Sequence, residues 1–185
     1  MKQRSKVGKE VIAVPAVAVQ DNVIGLGPGD LLVSITERDR RAKHPSLIKG
    51  VRTIQTRFDD VPYEVRQGGE QVLWPVTLVE ATDILRYVKE NVRHVRRVVV
   101  HCYAGVSRSP AVAMVLAQVF DLAPGLDELR TKHEFYNRAV YKTMAKAAVK
   151  MGLMENSDEL TEDREQRLFK IAKPWRGEVG NGFGG

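Results

Sequence analysis

With 185 residues and 43% apolar side chains, the chain is long enough to build one domain around a buried core. A formal charge of +6 suits an anionic ligand, but Arg93, Arg96 and Arg97 fall near a predicted helix end, where cations complement the helix dipole. No aromatic-plus-basic stripe of the kind that tracks single-stranded nucleic acid is present, so a nucleic-acid partner is not expected. Cys102 is the single cysteine, which excludes an internal disulfide and an all-cysteine metal site; the four histidines lack metal-ligand spacing, and no metal is expected. No apolar run reaches the length of a membrane span, and no membrane partner is expected. Lys2, Arg4, Lys6 and Lys9 precede an apolar stretch and loosely mimic a secretion signal, but Glu10 and Pro15 interrupt it.

Residues 11–19 read as one or two short strands, followed by turn chemistry in Gly25-Leu-Gly-Pro-Gly-Asp30. Residues 31–36 read as a buried strand, 37–49 as a charged loop or short helix, and 51–58 as a further strand that ends at Asp59-Asp60-Val61-Pro62. The polar segment 63–71 reads as a loop. Thr77-Leu-Val-Glu80 is a capping box, and behind it Ala81, Ile84, Leu85, Val88 and Val92 share one helical face. A strand over 97–100 then leads through a short turn into a helix from Pro110 to about Phe120, apolar nearly all round and therefore central. Two more helices are expected near 126–133 and 138–150, the second capped by Asn137. Strands alternating with helices imply an α/β fold with a central, mostly parallel sheet flanked by helices. The domain is placed at residues 1–153, and 154–185 reads as a charged to Gly-rich tail, partly disordered, in which Trp175 and Phe183 are possible docking residues.

The chemistry concentrates in His101-Cys-Tyr-Ala-Gly-Val-Ser-Arg-Ser109, between the β-branched strand and the central helix. A strand that feeds a tight turn and then a helix N-terminus gathers backbone N–H groups around one point, which suits a tetrahedral dianion. Cys102 supplies a nucleophile that attacks as the thiolate, a form favoured by converging donors and a nearby guanidinium. Arg108 offers a planar fork for two phosphate oxygens, which lysine cannot match. Gly105 permits backbone geometry that a side chain would hinder. Ser109 is placed to donate to the sulfur when sulfur leaves, and His101 to orient the loop.

These nine positions resemble the signature of the cysteine-dependent protein tyrosine phosphatases, His-Cys-x5-Arg followed by Ser or Thr. The Ala-Gly pair and the terminal Ser-Arg-Ser look most like the compact dual-specificity branch. The close resemblance covers residues 97–117. It implies a two-step reaction in which Cys102 forms a phosphocysteine that water then hydrolyses, with no cofactor. The loop residues Tyr103, Ala104, Gly105, Val106, Ser107 and Arg108 would bind the phosphate. The family's general acid is an aspartate on an upstream loop. Matching Phe58-Asp59-Asp60 to that strand end favours Asp60, with Asp59 as the alternative acid, across a longer interval to Cys102 than is usual. Trp74-Pro75-Val76 echoes the acid loop of the larger tyrosine phosphatases, but valine carries no transferable proton; Asp83 and Glu80 read as helix residues.

The expected activity is a protein phosphatase acting on phosphotyrosine, and on phosphoserine or phosphothreonine if the cleft is shallow, with a phosphorylated protein or peptide as partner. Tyr63 or Tyr136 could flank the cleft. The alternatives are a catalytically inactive phosphoprotein-binding module, or a phosphatase of RNA 5′ ends or phospholipids. Thiolate chemistry requires a reducing compartment, so a cytoplasmic location is expected.

Overall fold

In the computed structural model, the described residues are 9–38, 44, 48–67 and 70–155. They belong to a compact unit that runs to Glu155. Most of the charged segment 37–49 and the tail from 156 on, with Trp175 and Phe183, lie outside them.

The central sheet has four parallel strands: β1 (Glu10–Pro15), β2 (Asp30–Thr36), β3 (Arg52–Arg57) and a later strand, Arg97–Cys102. A separate antiparallel pair, β4 (Val65–Gln67) and β5 (Glu70–Leu73), makes that later strand β6. The order across the sheet is β1-β6-β2-β3. β6 is thus a central strand, and Val98, Val99 and Val100 are buried between its two neighbours. β-Branched side chains suit that position, where both faces of the pleat are covered.

Helices α2 (Leu78–Asn91), α3 (Arg108–Phe120), α4 (Leu126–Lys132) and α5 (Arg138–Lys150) follow the short α1 (Ala16–Gln20). Every residue of α3 from Arg108 to Ala117 is buried, which is why its sequence lacks a polar stripe. Burial of Val112, Met114, Val115 and Leu116 contributes about 1.5–3 kcal/mol for each side chain. α2 starts at the expected capping box: Thr77 Oγ1 accepts from the Glu80 N–H, and the Glu80 carboxylate accepts from the Thr77 N–H. Asn137 caps α5 by accepting from the Val140 N–H at 3.0 Å.

Two expectations need correction. The stretch 11–19 is not strand throughout, because Pro15 ends β1 and serves as the N-cap of α1. The segment 63–71 is not simply loop, since it contributes to the β4–β5 pair. The sheet is parallel and flanked by helices, as expected. One small core sets Val19, Leu26, Leu32 and Val99 together with Ile12, Val14, Ile24, Ile48 and Val51, so that α1 and flanking loops, rather than long helices, cover one side.

Candidate active site

In a parallel sheet, all strands point their C-terminal ends to one edge, and ligand sites gather there. Here that edge collects Pro15 from β1, Glu37 after β2, Phe58 to Asp60 after β3, and Cys102 at the end of β6. The loop 103–107 leaves β6 at this edge and is pinned where β1 passes into α1: the Ala16 N–H donates to the Tyr103 carbonyl at 3.1 Å.

Gly105 is what makes that pinning possible. Its φ is +76°, and a Cβ built there would lie 2.5 Å from the Pro15 nitrogen and 2.7 Å from the Val14 carbonyl carbon. Both are backbone atoms of the sheet and cannot swing aside. Gly105→Ala is therefore expected to cost about 2–4 kcal/mol, through the clash and the strained φ together. Thermal unfolding checks this; an unchanged Tm would contradict it.

Cys102 is buried, and two groups face its sulfur. The Gly105 N–H donates to Sγ at 3.3 Å, and Ser109 Oγ lies 3.2 Å from it. Ser107 stands at the N-cap of α3, where a serine usually bonds its own helix. It does not: its hydroxyl turns outward and donates to Asp60 Oδ1 at 2.7 Å. The first N–H groups of the 13-residue α3 are thereby left without a side-chain cap, beside the sulfur.

Arg108 is almost fully buried, at 3% exposure. Its Nη1 donates to the Phe58 carbonyl at 2.9 Å, and its Nη2 pairs with the Glu37 carboxylate. Nε has no hydrogen-bond partner among the described residues. A buried guanidinium N–H left open is costly unless an acceptor arrives, so this donor points to a ligand anion.

The two aspartates after β3 separate clearly. Asp59 is buried, and both of its oxygens are occupied: Oδ1 accepts from the Arg38 N–H at 3.2 Å and Oδ2 from the Trp74 N–H at 2.8 Å. It closes the base of the β4–β5 segment. Asp60 is exposed at the loop rim, where Oδ1 accepts from Ser107 Oγ and from Asn137 Nδ2, each at 2.7 Å. The Trp74-Pro75-Val76 echo has no acid of its own, and Glu80 is engaged as the α2 cap and with Arg38.

His101 is fully buried, with Nε2 at 2.7 Å from Ser34 Oγ. Ser34 in turn lies 2.8 Å from His44 Nδ1, and Thr36 Oγ1 lies 3.3 Å from His44 Nε2. Burial pushes the His101 imidazole down to about 4; the Cys102 backbone opposes this, while His44 and Arg108 reinforce it. The ring is neutral at physiological pH. It is held through Ser34 and does not supply a positive charge to the sulfur.

Tyr103 and Val106 point out of the loop, 77% and 54% exposed, and Phe135 is 84% exposed on the turn before Asn137. Tyr63 is exposed beyond the Asp60 loop, whereas Tyr136 is half-buried and packs edge-on against Tyr141. Glu37, Ser34, His44 and the contact of Asn137 with Asp60 were not legible as site features. The placement of Glu37 directly after a buried parallel strand was the one available signal.

No family model matches the chain, and no curated protein sequence matches it. Solved structures do. A mouse protein described as a dual specificity phosphatase, solved with zinc tungstate, is 16% identical with a TM-score of 0.54, covering 85% of this chain and 98% of that one. The human tyrosine phosphatase-like serine/threonine/tyrosine-interacting protein is 13% identical with a TM-score of 0.51, covering 76% and 92%. PTPMT1 in complex with PI(5)P is 16% identical with a TM-score of 0.50, covering 80% and 96%. The chain thus shares the α/β fold of these solved structures, a parallel sheet flanked by helices.

Proposed function

We propose that this protein hydrolyses phosphate monoesters of proteins, phosphotyrosine foremost, through a phosphocysteine at Cys102. The observation that carries the reading is the Cys102 sulfur at the uncapped start of α3, faced by the Gly105 N–H and Ser109 Oγ, with buried Arg108 as the first residue of the same helix. The bound group would be a tetrahedral dianion, with the loop amides of residues 103–107 and the Arg108 Nε–H on its non-bridging oxygens.

In the first step the sulfur attacks phosphorus opposite the ester oxygen, the P–O bond breaks, and Asp60 gives its proton to the departing alkoxide or phenoxide. In the second, Asp60 takes a proton from water, the water oxygen attacks phosphorus, and the P–S bond breaks. Ser109, beside Sγ, donates to the sulfur as it regains its electron pair. Enzyme and free phosphate result, with no group left over.

Asp60 is the acid in this reading because it is exposed at the loop rim, while Asp59 has both oxygens committed to backbone N–H groups. Asp60→Asn is expected to lower kcat/KM by about 10²–10³ on phenyl phosphate, whose leaving group needs protonation, and far less on p-nitrophenyl phosphate. Asp59→Asn is expected to lower the Tm, with a stability loss of about 1–3 kcal/mol, and to leave that leaving-group dependence unchanged. The reverse pattern would move the acid to Asp59.

The apolar outward residues Tyr103 and Val106, and a loop without lysine, favour a peptide over a polyphosphorylated headgroup. Turnover of phosphotyrosine, phosphoserine and phosphothreonine peptides, PI(5)P and 5′-triphosphorylated RNA tests this directly. Phosphotyrosine peptide should be the best substrate. Turnover of PI(5)P or RNA alone would overturn the protein reading, and binding of phosphopeptide without turnover would make the chain a binding module. A reducing, cytoplasmic setting belongs to the same proposal.

A further inference from the structure

Asn137 does more than cap a helix. Its side-chain oxygen accepts from the Val140 N–H at 3.0 Å, and its backbone carbonyl accepts from the Tyr141 N–H at 3.0 Å. Its backbone N–H donates to the Ser107 carbonyl at 3.0 Å, and its side-chain Nδ2 donates to Asp60 Oδ1 at 2.7 Å. Every polar group of Asn137 is therefore committed. The side chain joins the start of α5 to the carboxylate at the loop rim, and the backbone N–H of the same residue ties both to the end of the Cys102 loop.

The mounting is rigid. α5 buries Val140, Met144, Ala145, Ala147 and Ala148 in the core. Asp60, by contrast, lies on an exposed loop after β3, where a carboxylate unsupported by partners would sample many rotamers. Ser107 Oγ supplies the second restraint, also at 2.7 Å on the same oxygen. Both donors act on Oδ1, and the distances are those of good charge-assisted bonds. An oxygen that accepts two hydrogen bonds has little room for a proton of its own, so the neutral acid carries its proton on Oδ2.

We propose that Asn137, with Ser107, is a positioning residue for the acid step: the pair fixes the Asp60 carboxyl at the loop rim and leaves Oδ2 as the oxygen that delivers the proton. The inference rests on the phosphatase reading and adds to it the residues on which the acid depends. A general acid contributes only if its proton meets the leaving oxygen in the right geometry, and an unheld acid loses part of that contribution.

Asn137→Ser keeps an N-cap for α5 but cannot reach Asp60, and Ser107→Ala removes the second donor without touching α5. Kinetics with phenyl phosphate and p-nitrophenyl phosphate, which present poor and good leaving groups to the same site, read the acid step. For each variant the ratio of kcat/KM on p-nitrophenyl phosphate to that on phenyl phosphate is expected to rise about fivefold or more. Placed on an Asp60→Asn background, either substitution is expected to leave that ratio within about twofold of the background's, because nothing remains to position.

Equal losses on the two substrates, or an undiminished rise of the ratio in the Asp60→Asn background, would overturn the proposal while leaving the phosphatase intact. A wild type inert towards both substrates would overturn the phosphatase reading, and this one with it. Thermal unfolding accompanies each variant; if Asn137→Ser does not fold, Ser107→Ala decides the matter alone.

Discussion

Cys102→Ser is expected to lower turnover of p-nitrophenyl phosphate by about four orders of magnitude or more, with the fold retained. In the proposed reaction the Cys102 sulfur is the atom that bonds to phosphorus, with the Gly105 N–H and Ser109 Oγ directed at it. A serine hydroxyl fits the same space but holds its proton at neutral pH, and among the described residues no base contacts that position. His101, the adjacent imidazole, is fully buried and turned to Ser34 through Nε2. Loss of a nucleophile that acts with its surroundings as a unit costs nearly the whole covalent route. Since the substitution leaves the loop backbone and Arg108 in place, the variant should still bind phosphotyrosine peptide. Residual turnover near the wild-type level would mean that the nucleophile is not Cys102.

Arg108→Lys is the second large effect, with kcat/KM expected to fall about 10²–10³-fold on any aryl phosphate. Arg108 is held from two sides, by the Phe58 carbonyl at 2.9 Å and by the Glu37 carboxylate, so its plane is fixed before substrate arrives. Two of its nitrogens anchor the group, and buried Nε remains to meet an oxyanion. An ammonium has no fork to divide in that way. Bound to Glu37, it would present charge without the paired N–H geometry, and inhibition by tungstate or vanadate should weaken in parallel with catalysis. If Arg108→Lys kept both activity and oxyanion inhibition, charge alone would suffice and the fixed plane would be irrelevant.

The sequence made the core legible where one period ran long enough. α2 shows its buried face at Ala81, Ile84, Leu85 and Val88, and α3 is apolar throughout because the fold surrounds it. α1 was missed because Ala-Val-Ala-Val-Gln is too short to distinguish helix from strand by periodicity, and only Pro15 marks the change. The β4–β5 pair carried a sequence signal in Gly68-Gly69, a dipeptide of the kind that favours hairpin turns.

The site divides in the same way. The loop from His101 to Ser109 is contiguous, so strand, turn and helix could be read together with the residues that need them. The partners from elsewhere are set by tertiary structure. Glu37 meets Arg108, Ser34 meets His101, and Asn137 meets Asp60 across intervals that no local pattern encodes. The parallel topology supplies the link, because it brings the ends of β2, β3 and β6 to one edge. It also explains how neighbouring aspartates take different positions: Asp59 turns inward to the Trp74 N–H, and Asp60 turns to the rim.

The most direct test of the account is to quench the enzyme during turnover of a phosphorus-labelled aryl phosphate and locate the label on the chain by peptide mapping. The account predicts label on the peptide that contains Cys102, bound through sulfur, accumulating when Asp60→Asn slows the hydrolysis step and absent from Cys102→Ser. Turnover with no covalent label, or label on any other residue, would contradict it.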